Sequence, residues 1–249
     1  MPGLVAAANL SCVDSFGKLA RHCDGGEVRE FGSVVAFVTG VPIGFFNGCL
    51  TMGGDPADVN RAIDWLVGRQ LPYLLWLDAD DAAGDVGDVA RGRGLRQEAW
   101  ALPGMVLRQP VEVPAPPTRV RIEPASLEPW LAIVESNGMP IHLARRLFTP
   151  SFAADPDVEL FAGYLDNRPV GTAVAIRTGD ISGVYAVLTA PPARRQGVGT
   201  AAAWAAVNAG REWGCELVAL QSTEMGFSSY RRMGFETVIR YATFASPDS

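Results

Sequence analysis

At 249 residues, 48% of them apolar, the chain has material for one large packed domain or two small ones. No run reaches the ~18 uninterrupted apolar residues of a membrane span, and Met1 to Leu10 lacks a basic flank before its small residues, so neither a spanning helix nor a secretory signal is expected. A formal charge of -6 argues against general affinity for nucleic acid, which needs a phosphate-neutralising basic surface.

In chain order, Val34 to Thr39 and Phe45 to Leu50 read as paired strands, with Pro42-Ile43-Gly44 in the turn before the second. Pro56 to Arg69 is expected to be helical, with Asp55 as N-cap and Pro56 in the first turn. Tyr73 to Leu77 reads as a buried strand. The run Asp78-Ala79-Asp80-Asp81 reads as a solvated loop, with attraction of a cationic acceptor as its second use. Gly94-Leu95 precedes a strand over Gln97 to Val106. Four prolines between Pro110 and Pro117 favour an extended, semi-rigid connector.

Beyond it, Leu127 to Ser136 and Pro140 to Phe148 look helical. Glu159 to Leu165 and Val170 to Arg177 form a hairpin about Asp166-Asn167-Arg168. Ile181 to Thr189 follows as a third strand. An alanine-rich helix runs from about Thr200 to Trp213, with Gly214 at its C-terminal end. Glu216 to Gln221 is a short buried strand, Gly226 to Met233 a last helix, and Phe235 to Phe244 a final strand. Pro42-Ile43-Gly44 echoes Pro169-Val170-Gly171, and Gly94-Leu95 echoes Gly234-Phe235. The expectation is two related α/β modules with mixed sheets: 1–110, a linker at 111–117, and 118–249.

Chemistry concentrates in Val187 to Ala202. A strand ends, Pro191-Pro192 sets a rigid turn, and a glycine-containing loop opens a helix. The first amides of a helix lack internal partners and the macrodipole adds positive charge there, so the arrangement is an anion site. Gly197 and Gly199 would let phosphate oxygens approach the main chain, and Arg194 and Arg195 add charge at the rim. Surface-solvated arginines are the plain alternative. Gly197-Val198-Gly199-Thr200-Ala201-Ala202 also fits the dinucleotide pattern GxGxxA. A nicotinamide site, however, needs its glycines directly after the strand and an acidic residue ending the next one. Here seven residues intervene, and the next strand ends at Gln221-Ser222.

The segment resembles the GNAT acyl-CoA N-acyltransferase superfamily. Arg194-x-x-Gly197-x-Gly199 matches the fixed positions of its cofactor loop, and Tyr230-Arg231-Arg232-Met233-Gly234-Phe235 looks like its Tyr-x-x-hydrophobic-Gly-Phe ending. The likeness covers about 118 to 244, and the N-terminal half by pattern alone. It implies a GNAT-like α/β fold in tandem, with acetyl-CoA as cofactor and direct attack by a primary amine of unknown identity. Main-chain groups of Val187, Leu188 and Thr189 would meet the pantetheine arm. The loop Arg194, Arg195, Gln196, Gly197, Val198, Gly199 and Thr200 would hold the pyrophosphate, and Tyr230 would protonate the leaving thiolate. Thr189 stands where an aliphatic residue is usual. Thr223 stands where many members have asparagine, so Ser222 or Thr223 replaces that contact to the arm.

Two rival readings remain at this point. One is a non-catalytic module that binds or senses acyl-CoA; the other is a nicotinamide-dependent oxidoreductase. Tyr230, three residues from Phe227 and from Met233, also reads as core packing. Glu135, Glu159 and His142 are candidate bases among which the sequence does not choose. In the N-terminal half Asp55 and Asp58 sit at the helix start, where their charge would repel a pyrophosphate. That half is therefore expected to bind no CoA. Cys12, Cys23, Cys49 and Cys215 form no CxxC pair and the chain has only two histidines, so no metal site and free, mostly buried thiols are expected. A cytoplasmic protein is the expected setting, without nucleic acid or membrane partners, and a homodimer is left open.

Overall fold

The computed structural model describes residues 3–51 and 53–247. Met1 and Pro2 of the N-terminal stretch, Met52, and Asp248 and Ser249 of the 118–249 half lie outside them. The elements run α1 (Leu4–His22), β1 (Glu27–Phe31), β2 (Val34–Val38), β3 (Gly48–Thr51), α2 (Pro56–Val67), β4 (Leu74–Asp78), α3 (Ala79–Ala83), α4 (Asp85–Gly92) and β5 (Arg96–Arg108). After the proline-rich stretch come β6 (Val120–Pro124), α5 (Leu127–Ser136), α6 (Ile141–Leu147), α7 (Pro150–Ala153), β7 (Val158–Leu165), β8 (Arg168–Thr178), β9 (Ile181–Thr189), α8 (Val198–Glu212), β10 (Leu217–Gln221), α9 (Glu224–Arg232) and β11 (Glu236–Ala245). Two compact units divide the chain. The first holds Met1–Met105, Gln221–Phe227 and Thr237–Ser249, and the second holds Val106–Leu220 and Ser228–Glu236.

In the first unit the strands lie in the order β1-β2-β3-β4-β11. β3 and β4 are parallel and the other pairs antiparallel. Side chains alternate across a strand, so the sheet has two apolar faces. Leu75, Leu77, Ala36 and Phe244 pack with Ile63 and Leu66 of α2. The intervening Trp76, Phe37 and Tyr241 meet Phe16 of α1 or one another, with Phe16 stacked on Phe37 at 4.9 Å. The Tyr241 hydroxyl donates to Asn9 Oδ1 of α1 at 2.6 Å in the buried interior.

The second unit orders its strands β10-β9-β8-β7-β6. The Asp166-Asn167 turn places both residues at positive φ, as a two-residue hairpin demands. α8 lies along β6 to β9, and α5 lies along β7 and β8, with the Trp130 indole N–H reaching the Ala173 carbonyl at 3.4 Å.

The structure adds β1, α4, β6 and α7, none of them read from the sequence, and departs from that reading elsewhere. Leu4–His22 is a helix that the sequence did not announce. Gly44–Phe46 is a 3-10 turn, so the second strand begins only at Gly48. Pro42-Ile43-Gly44 therefore falls between β2 and β3, whereas Pro169-Val170-Gly171 lies inside β8, and that echo is not a topological match. The acidic run opens α3 instead of staying a loop, because Asp78 caps the Asp80 amide and Asp80 and Asp81 sit in the first turn, where the helix dipole favours negative charge. Among the described residues no helix is long and apolar enough to cross a membrane, and no cluster of His, Cys, Asp and Glu offers a metal site.

Candidate active site

β9 carries a bulge. Thr172 pairs with Leu188 and Val174 with Tyr185, so Ala186 and Val187 together oppose Ala173. Ala186 takes φ +48°, and its carbonyl accepts the buried Thr172 hydroxyl at 2.8 Å. A bulge bends its strand and increases the local twist. The parallel pairing of β9 with β10 covers Ile181–Gly183 against Leu217–Ala219, and β9 runs on for six residues beyond it. Ile181 to Val184 are buried, whereas Tyr185 to Thr189 are half-buried. Val187, Leu188 and Thr189 thus lie on a partly open, apolar strand end.

That end leads through a 3-10 turn at Pro191–Ala193 into α8. The turn is closed by Ala193 N–H on Ala190 O at 2.8 Å. Arg194 and Arg195 are exposed, and the Arg194 Nε–H donates back to Thr189 O at 3.2 Å. Arg195 and Gly197 hold φ +60° and +88°. Left-handed backbone at a non-glycine residue stores strain and gathers at functional loops. The N-cap of α8 is Gly197, with no side chain capping the first turn, and its carbonyl accepts the Ala201 amide at 2.9 Å. The helix thus starts at Val198, two residues before the sequence suggested, and presents uncapped first-turn amides beside two arginines.

The two loop glycines are closely approached by the protein's own atoms. A Cβ on Gly197 would come within 2.8 Å of Pro117 Cγ, and one on Gly199 within 3.0 Å of Thr189 Oγ1. Their missing side chains admit the protein's own atoms. Val198 is buried. It fits where Gly163 and Gly171 leave room, since a Cβ at either would come within 3.0 Å and 2.7 Å of Val198 Cγ1. Sequence reasoning missed Thr172, Ala186, Gly163, Gly171 and Pro117. Gly163 and Gly171 carried a signal, as glycines inside apolar strands.

Tyr230 lies on α9 in the second unit, half-buried, its ring edge-on to Phe235 at 5.8 Å. Burial pushes its phenol up to about 12. Ser222 and Thr223 fall in the first unit. Ser222 is fully buried, its amide on Pro103 O and its hydroxyl on Thr223 O at 2.8 Å, while Thr223 is exposed. Of the three candidate bases, His142 and Glu135 are exposed on α6 and α5. Glu159 is half-buried on β7, and burial, with Glu212 as a lesser cause, raises its carboxyl.

The first unit has the same succession of strand, glycine loop, helix and parallel strand at β3, Gly53-Gly54, α2 and β4, with different contents. β3 is buried and stays paired with β4 over Gly48–Leu50, nearly its whole length. Asp55 caps the Ala57 amide at 2.8 Å. The Asp81 carboxylate lies against Gly54, where a Cβ would come within 2.8 Å of its Oδ1. Asp58 is spent on the Ser33 amide at 2.8 Å and on Arg61, and the Ser33 amide foremost holds its carboxyl below the ordinary value.

Residues 126–235 match the family model described as "Acetyltransferase (GNAT) family". No curated protein matches the chain. Among solved structures, the chain is similar to a GCN5-related N-acetyltransferase from Kribbella flavida, at 22% identity and TM-score 0.71 over 97% of this chain and 95% of that one. It is similar to a GCN5-related N-acetyltransferase from Sphaerobacter thermophilus, at 15% identity and TM-score 0.62 over 98% and 91%. A tandem GNAT protein from the clavulanic acid biosynthesis pathway follows at 12% identity and TM-score 0.63 over 99% and 95%. At these identities the structures speak for the fold. The mixed α/β, tandem GNAT-like fold expected from the sequence is the fold observed, and the stretch around Arg194 to Gly199 and Tyr230 to Phe235 falls inside the matched domain.

Proposed function

We propose, from residues 126–235 being a GNAT acetyltransferase domain, that the chain transfers an acetyl group from acetyl-CoA to a primary amine. The observation that carries this reading is the bulged end of β9 running into the uncapped start of α8. An open strand end and a positive helix terminus, in that order, suit a ligand with a thin amide-bearing arm and a diphosphate. Main-chain groups of Val187, Leu188 and Thr189 meet the arm. The amides from Arg195 to Thr200 hold the diphosphate, with Arg194 and Arg195 as countercharge. Bound acyl-CoA supplies an activated acyl carbon for a neutral amine. Tyr230, protonated at neutral pH, holds the proton that the departing sulfur takes.

In this reading 1–110 and 118–249 are tandem modules joined by 111–117, and only the second binds CoA. The continuous β3–β4 pairing and the carboxylates of Asp55 and Asp81 at the start of α2 support a silent first module. Calorimetry with CoA tests the site. Gly197→Asp places a carboxylate on the loop and presses on Pro117. It is expected to weaken CoA binding at least about a hundredfold, as loss of roughly 3 kcal/mol would. Undiminished affinity in that variant refutes the site.

A further inference from the structure

The proline-rich stretch ends against the proposed phosphate loop. The left-handed Gly197 faces the Pro117 ring so closely that a methyl group there would lie 2.8 Å from Cγ and 3.4 Å from Cδ. Pro117 itself is held in place. Its carbonyl accepts the Val120 amide at 2.8 Å, closing a turn into β6. Within that turn the Arg119 carbonyl accepts the Asp166 amide at 3.0 Å, and the Arg119 guanidinium pairs with the Asp166 carboxylate, its Nε–H donating at 2.9 Å. Val120, at the end of the turn, packs with Val198 and Ala201 of α8. The start of α8 is therefore bracketed. Val198 is seated in the space left by Gly163 and Gly171, and Pro117 closes over the preceding residue.

The geometry points to Pro117 as a positioning residue for acyl-CoA binding: the linker's last proline holds Gly197, and with it the amides of Val198 to Thr200, in the conformation that receives the diphosphate. Pro117 offers no donor and no charge, so its contribution lies in pre-organisation. A loop already held in its binding shape loses less conformational entropy when the ligand arrives. This inference rests on α8 as the phosphate site, and it makes the linker more than a spacer.

Three variants of the full chain decide it. Pro117→Gly removes the ring, Arg119→Ala loosens the turn that carries it, and Pro114→Ala alters a proline three residues earlier in the same stretch. Amide hydrogen exchange is read without ligand at Ala201, whose N–H donates to Gly197 O at 2.9 Å, together with CoA affinity by calorimetry, and kcat and KM for acetyl-CoA with an accepted amine. Pro117→Gly is expected to speed exchange at the Ala201 amide and to raise the CoA Kd about five- to tenfold, with kcat at saturation within about twofold of wild type. Arg119→Ala should shift exchange and affinity in the same direction by less, and Pro114→Ala should match wild type. Wild-type protein that binds CoA while Pro117→Gly leaves exchange and affinity unchanged overturns the role of Pro117 and spares the site. Equal effects from Pro114→Ala overturn it as well, because they would make the contribution one of general linker stiffness. Failure of the wild-type protein to bind CoA overturns the site itself, and the positioning role falls with it.

Discussion

At Gly171 a single missing side chain decides where a helix begins. A methyl group there would sit 2.7 Å from Val198 Cγ1 and 3.0 Å from the Leu188 carbonyl. The first contact has a side chain that can shift, and the second is backbone. Overpacking of this kind typically costs 1–3 kcal/mol. Gly171→Ala is expected to lower stability by about 2 kcal/mol in urea unfolding, and adding Val198→Ala should recover part of the loss. If Gly171→Ala unfolds at the wild-type midpoint, Val198 is not seated as described. Tyr230 bears on pH in a definite direction. Its phenol is lifted by burial to about 12, from an ordinary 10. The folded chain therefore binds that proton more tightly than the unfolded one, and the associated stability is present below pH 10 and lost as pH rises toward 12. Through pH 6 to 9 the group stays protonated. The rate of acetyl transfer at low amine should rise with pH as the acceptor loses its proton, then hold level up to about pH 10. A descending limb centred below pH 9 would assign the proton donor to another group. Tyr230→Phe should lower kcat by about 10²-fold or more with the CoA Kd little changed, the usual scale of a lost general acid. Unaltered kcat would remove Tyr230 from the chemistry.

Among the elements, β9 shows how much depends on one hydroxyl. The Thr172 hydroxyl donates to the carbonyl of Ala186, the left-handed residue of the bulge. Replacing Thr172 by valine keeps the shape and removes that hydrogen bond, which costs about 0.5–1.5 kcal/mol. That loss, read from denaturant unfolding and accompanied by weaker CoA binding, is the expected result; a neutral Thr172→Val would mean that the bulge holds itself. The neighbouring hairpins were legible in the sequence because their turns have chemical signatures: Asp166-Asn167 and Gly179 tolerate positive φ, and the strands between them alternate or run apolar. The loop into α8 was legible from Pro191 to Gly199 for similar reasons. α1 was not. Its buried face consists largely of Ala7, Ala8, Asn9, Ser11, Cys12 and Ser15, small or polar residues that hide a helical hydrophobic period. The bulge was also invisible, since nothing in Tyr185-Ala186-Val187 distinguishes an extra residue from a regular strand. Hydrophobic patterning records which face of a strand is covered and is silent about which strand lies beside it. The partnership of β11 with β4 was therefore beyond reach.

For the molecule as a whole, that partnership governs how the chain can be divided. β11 pairs with β4 in the first unit, from Tyr241 opposite Asp78 to Ala245 opposite Leu74. Tyr241 also supplies the hydrogen bond to Asn9 and an edge contact to Trp76 at 6.0 Å. A cut within 111–117 separates these partners and exposes both a strand edge and an aromatic core. The fragment 1–110 made alone is expected to be insoluble or to lack a cooperative thermal transition by circular dichroism, and co-production with 118–249 should restore it. A soluble, cooperatively melting 1–110 would show that β11 is dispensable there.

The same pairing sets a schedule for synthesis. Tyr73 and Ser246, hydrogen-bonded through two contacts, stand 173 positions apart. At roughly 5–20 residues per second, the earlier of them waits on the order of ten to thirty seconds on the ribosome before the later emerges. During that interval the nascent first half has an unfinished border, and it is then that a chaperone has most reason to engage it.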